Sequence, residues 1–144
     1  LLVNNLQITF SLMISKLYRL KENEVKKVLQ KRSKPFFSYS LVLNSLKNKY
    51  EYNRFSIVIW SKSVNSWVSR NYFRRLFYEE SRKFIDKSRD NHFFDFTILI
   101  KKEINLNKTD SKVILNFKKD LNFAFNNFFK EETKPNDIKF NFKK

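Results

Sequence analysis

Residues 61–85 read SKSVNSWVSRNYFRRLFYEESRKFI. At about 100° per residue, as an α-helix requires, Arg74 falls about 40° from Arg70, Tyr78 about 80°, Asn71 about 100°, Arg82 about 120° and Arg75 about 140°. Phe73, Leu76, Phe77 and Phe84 gather on the opposite side, between about 240° and 340°. The stretch predicts an amphipathic helix with Ser66 as its N-cap. One wall is arginine with Asn71 and Tyr78 among it, and the other is aromatic and aliphatic. Tyr72, Glu79 and Lys83 fill a border, and Glu80 is the one charge on the apolar wall. Two uses fit the arginine wall: a solvated face, or a phosphate grip. Lysine is the common cation elsewhere in the chain, whereas this wall is arginine, whose planar fork binds phosphate through two hydrogen bonds at once.

Composition points the same way. The 144 residues suit one domain, and hydrophobic residues make up 42%, enough for a core. A formal charge of +16 calls for a polyanionic partner, nucleic acid or an anionic membrane surface. Aromatics at 17%, interleaved with the cations, favour nucleic acid, because rings stack on unpaired bases while cations neutralise the backbone. The chain has no cysteine, which excludes disulfides, thiolate catalysis and cysteine zinc sites. It has no glycine, which removes every glycine-rich phosphate loop and leaves turns to Asn, Asp and Ser. The single histidine, His92, stands beside Phe93 and Phe94 and belongs to no catalytic or metal-binding spacing. Heavy use of Lys, Asn, Phe and Ile suggests an AT-rich genome.

Outward from the helix, residues 54–60 (RFSIVIW) and 93–100 (FFDFTILI) predict strands rich in β-branched and aromatic residues. Residues 35–43 (PFFSYSLVL) alternate, which places Phe37, Tyr39, Leu41 and Leu43 on one face of a further strand. Residues 44–53 read as a polar turn, so antiparallel pairing of 35–43 with 54–60 is the simplest expectation. Residues 19–34 predict a helix with Val25, Val28 and Leu29 as its apolar stripe and Pro35 as its stop. Residues 113–130 predict a last helix that buries Leu121, Phe125 and Phe128. Residues 86–91 and 101–112 read as polar connections. Residues 1–18 read as an extension too short for a spanning helix and without signal-peptide features, 19–131 as the domain, and 132–144 as a basic tail.

This ordered set resembles the bacterial ribonuclease P protein family. The strand runs IVIW into Ser61-Lys62-Ser63-Val64, and the helix reads Arg70-Asn71-Tyr72-Phe73-Arg74-Arg75-Leu76-Phe77-Tyr78-Glu79. These match, in register, the family's Ser-Lys-Lys-Val and its Arg-Asn-Arg-x-Lys-Arg-x-x-Arg-Glu helix. The first helix, the Phe36-Phe37 strand and Phe94-Asp95-Phe96-Thr97-Ile98-Leu99-Ile100-Lys101 also resemble family elements in order. Tyr72 and Tyr78 stand where the family usually has Arg, Asn65 where it has Gly, and Ser63 where it has Lys.

The resemblance implies an α+β fold, a two-layer α/β sandwich in the order α-β-β-α-β-α with room for a short extra strand, and a left-handed βαβ crossover. It implies a protein that performs no chemistry itself. A catalytic RNA using magnesium cleaves the 5′ leader from precursor tRNA, and the protein binds both RNAs. By match to the family, Arg70, Asn71, Arg74 and Arg75, with Arg82 on the same wall, face the catalytic RNA. Phe37, Ser61 and Lys62 belong to the leader cleft between the first helix and the sheet; face and charge add Tyr39 and Lys26. The implied setting is the cytoplasm, or an organelle matrix if the genome is organellar, with no membrane partner. Two other functions stay open on the residues alone: a non-catalytic or ribosome-associated RNA-binding protein, and a basic protein of membrane surfaces.

Overall fold

A computed structural model describes residues 15–31, 34–60, 66–101 and 104–130. Helix α1 spans Glu22–Lys31, followed by strands β1 (Phe36–Phe37), β2 (Leu41–Lys47) and β3 (Arg54–Val58). Helix α2 spans Trp67–Ser81 and continues into a 3-10 turn over Arg82–Phe84. Strand β4 (Phe94–Ile100) and helix α3 (Ser111–Lys130) complete the domain, and the short β1 is the extra strand. The extension and tail expected for residues 1–18 and 132–144 lie, apart from residues 15–18, outside the described residues.

The sheet order is β1-β2-β4-β3, with β2 antiparallel and β3 parallel to β4. The expected hairpin of the first two long strands therefore does not form: β4 lies between them. The reason is burial. Six of the seven β4 residues are buried, Leu99 being the half-buried one. A strand buried on both faces, here with Asp95 and Thr97 among the buried residues of one of them, belongs in the middle of a sheet, where both faces are covered. The edge then goes to β3, and α2 carries the chain across to the parallel neighbour.

Residues 35–43 are also not one strand. The chain bends at Ser38–Ser40, because both serine hydroxyls and the Ser40 N–H turn to the carboxylate of Asp120 on α3. The bend breaks the alternation and separates Phe37 and Tyr39 from Leu41 and Leu43. Strand β2 runs on to Lys47, through residues expected as a turn, since Asn44 is buried and its side-chain N–H donates to the Thr97 carbonyl at 3.2 Å.

By strand alternation, Leu41, Leu43, Phe55, Ile57, Phe96 and Ile98 share one sheet face. On it pack Phe73, Leu76 and Phe77 of α2 and Phe117, Leu121, Phe125 and Phe128 of α3. Ring contacts lock this layer: Phe125 lies edge-on to Phe55 and Phe96 at 5.6 and 5.3 Å, and Phe73 edge-on to Phe117 at 5.3 Å. Helix α1 lies across the other face, with Val28 wholly buried beneath it.

The apolar wall of α2 is as the periodicity requires, and Ser66 is its N-cap, accepting from the Ser69 N–H at 3.4 Å. Tyr78, expected among the arginines, is buried instead. Its ring packs against Phe77 at 5.1 Å with the Arg19 guanidinium over it at 5.7 Å. Glu80 is buried and satisfied by Asn122 at 2.8 Å and Lys83 at 3.0 Å. With no glycine available, the turn between Arg89 and His92 puts Asp90 and Asn91 in left-handed backbone, φ 54° and 62°. These two residue types tolerate that conformation best after glycine.

Burial raises the Glu80 carboxyl, but Asn122 and Lys83 outweigh it and hold the group below the ordinary glutamate value. A depressed folded value stabilises the protein above the unfolded value and stops doing so as pH falls through the folded one. The stability gap between the protein and Glu80→Gln is therefore expected to be full at neutral pH. It should close only on acidification below about pH 4.5. Urea titrations of both proteins across pH check this, and a gap independent of pH would deny the pairing any role.

Candidate RNA interface

The arginine wall is formed by α2. Arg74 donates through Nη1 to the Asn71 side-chain oxygen at 3.2 Å, which braces the guanidinium one turn along the helix. Arg70, Asn71 and Arg74 are half-buried, and Arg75 and Arg82 are exposed. Arg82 lies at the C-cap, its N–H bonded to the Tyr78 carbonyl, seven residues and about 10 Å along the axis from Arg75. None of Arg74, Arg75 and Arg82 forms an ion pair with a described residue. The wall is thus fixed to the core by one side of the helix and keeps its charge on the other.

A second surface lies on the sheet face that carries α1. Phe37 pairs with Val42, Val42 with Leu99, and Leu99 with Val58, so these four side chains form one row across the sheet. Phe37 is 64% exposed, and the other three are half-buried. Trp60 lies two residues beyond Val58 and is also exposed. On α1, Val25 and Leu29 share one flank at about 40° separation, with Lys26 above them at about 100° from Val25. An aromatic and aliphatic strip with a cationic rim results. Lys26 also reaches Glu22 at 3.7 Å, an exposed pair of little strength.

The expected leader residues do not all meet here. Phe37 and Lys26 border the strip. Tyr39, at 81% exposure, is on the other side of the sheet, beside Asn116, Lys119 and Phe123 of α3, because the serine bend turns it away. Ser61 and Lys62 lie outside the described residues. Trp60 was legible only as part of a strand; its place at the end of the row depends on pairing.

Sequence reasoning missed Arg54 altogether, because the first residue of a strand reads as a solvated end. Its guanidinium binds Asp95 with two hydrogen bonds, Nε to Oδ1 at 2.8 Å and Nη2 to Oδ2 at 2.7 Å. Nη1 reaches Glu24 of α1 at 2.7 Å, and the ring of Tyr50 lies 4.5 Å from the guanidinium carbon. Asn48 adds a bond to Asp95 at 2.9 Å. Burial works against the Arg54 charge, but Asp95 and Glu24 more than compensate and raise its pKa. Burial likewise raises Glu24, while the Lys21 N–H and Arg54 bring it below the ordinary value. This network clamps α1 to the sheet and so fixes the width of the strip.

Among the described residues, no group of three or more His, Asp or Glu side chains is placed to hold a metal ion, and no helix is long and apolar enough to cross a membrane.

Residues 14–127 match the Ribonuclease P family. The chain belongs to the ribonuclease P family. It is 38% identical over 107 residues to the ribonuclease P protein component of Fusobacterium nucleatum, across 74% of this chain and 92% of that one. Its fold is that of solved ribonuclease P proteins. The Staphylococcus aureus protein superposes with a TM-score of 0.60 at 19% identity, covering 76% of this chain and 93% of that one. The Thermotoga maritima protein superposes with a TM-score of 0.57 at 19% identity, covering 78% and 96%. The α+β sandwich that the resemblance implied is thus the ribonuclease P protein fold.

Proposed function

We propose that the α2 wall grips the catalytic RNA of ribonuclease P and that the strip beside α1 holds the single-stranded 5′ leader of precursor tRNA. Membership of the family makes the chain a subunit of the ribonuclease P ribonucleoprotein, which processes tRNA as an endoribonuclease complex with an RNA partner. In the proposal the bond is cut by that RNA with its own magnesium, and the protein supplies affinity and placement. It acts in the cytoplasm, or in an organelle matrix if the gene is organellar, and involves no membrane. The observation that carries the assignment is the division of labour on α2: its phenylalanines are buried, while Arg74, Arg75 and Arg82 keep their charge for an outside partner. A strip of rings and aliphatic side chains suits leaders of any sequence, because every base offers a face to stack.

Reconstitution with a bacterial catalytic RNA and precursor tRNA at low magnesium tests the assignment. Addition of the protein should raise both cleavage and substrate affinity; no rise in either would refute it. In the same assay Phe37→Ala should lower affinity for leader-bearing substrate about tenfold, the loss of one stacked base, and affinity for mature tRNA hardly at all. Equal losses would remove Phe37 from the leader site.

A further inference from the structure

The other flank of α1 carries a second basic surface. From Val25, Lys27 lies about 200° and Lys31 about 240° around the helix, opposite the flank that faces the strip. With Lys47 and Lys49 from the end of β2 and its turn, they line a groove of about 430 Å³. Its acidic residues, Glu24 and Asp95, are already bound by Arg54. None of the four lysines is ion-paired with a described residue. The Tyr50 ring, held by Arg54 from one side and 47% exposed, forms one bank.

We propose that this groove seats the backbone of the distal 5′ leader, beyond the segment held on the strip. It extends the proposed leader role and rests on it. Lysines are point charges on flexible stems, suited to a backbone whose sequence and conformation vary. Tyr50 gives an unpaired base a face to stack on. The floor of the groove, Leu46 and Asp95, shares the strip's sheet face. Leu46 in the groove is four residues along β2 from Val42 in the strip, about 13 Å. About four nucleotides at stacked spacing span that distance. Lys26 on the rim of the strip and Lys27 on the groove side form a cationic path over α1 between them.

The test uses the protein assembled with catalytic RNA and two precursor tRNAs, one with a leader of about five nucleotides and one of about twelve. Combining Lys27→Ala, Lys31→Ala, Lys47→Ala and Lys49→Ala should weaken binding of the long-leader substrate about tenfold. The short-leader substrate should change less than about twofold. The salt slope for the long leader should fall by about three. Lys49→Glu alone, an exposed turn substitution, should reproduce the direction of the effect if the quadruple variant folds poorly. Equal losses for both substrates would assign the groove to the catalytic RNA or the tRNA body and overturn the proposal. No loss for either would leave the lysines solvated and also overturn it. If Phe37→Ala still discriminates leader-bearing from mature tRNA in that case, the groove fails alone. If it does not, the leader role falls with it.

Discussion

Replacing Arg74 and Arg75 together with alanine should weaken binding of the catalytic RNA on the order of a hundredfold. Hydrogen bonds to charged groups contribute about 1.5–3 kcal/mol each, and two such contacts at the lower end, about 3 kcal/mol together, bring the loss to that range. The folded protein should change little, since neither residue forms an ion pair with a described residue and Arg75 is exposed. The discriminating measurement is the dependence of affinity on salt. Each phosphate neutralised adds between about 0.7 and 0.9 to the slope of log affinity against log salt, so the double variant should flatten it by about 1.5. Arg74→Lys with Arg75→Lys should keep most of the slope and lose part of the affinity, because lysine keeps the charge without the fork. A parent slope that survives the alanine pair would mean the wall faces only water.

Arg54→Ala should cost about 3–5 kcal/mol of stability. The pair with Asp95 is mostly out of solvent, with side-chain exposures of 12% and 10%, so removal of the guanidinium leaves a buried carboxylate without its counter-charge and, among the described residues, with only the Asn48 hydrogen bond. Glu24 loses its only ion-pair partner among the described residues at the same step, and α1 loses its charged tie to the sheet. Denaturant unfolding measures the stability loss. Leader affinity should also fall in whatever fraction remains folded, because the strip needs α1 in place. Arg54→Lys should lie between the parent and the alanine variant: one ammonium cannot bind both Asp95 oxygens and Glu24 together. A loss of under about 1 kcal/mol for Arg54→Ala would mean that packing over Val28, and not the charge network, holds α1.

Some of the arrangement could be read from single residues and their spacing. The helical period through α2 and the turn after it places Phe73, Leu76, Phe77 and Phe84 in the core and Arg75 and Arg82 outside it, as the structure has them, with Arg74 half-buried. Tyr78, in the middle of the arginine wall by its period, escaped the same rule because Arg19, from a distant part of the chain, covers its ring. The kink at Ser38–Ser40 was hidden because its cause, Asp120, is about eighty residues away in the chain.

The sequence by itself determined the three helices, the strands β3 and β4, the apolar wall of α2 and the need for a polyanion, because period and composition are local properties. Tertiary structure alone decided that β4 divides β2 from β3, that Phe37 joins Val42, Leu99 and Val58 while Tyr39 does not, and that Arg54 ties α1 to the sheet. Those outcomes follow from which surfaces can be buried together and which buried charges must meet. Periodicity carries no information about either, because both depend on residues far apart in the chain.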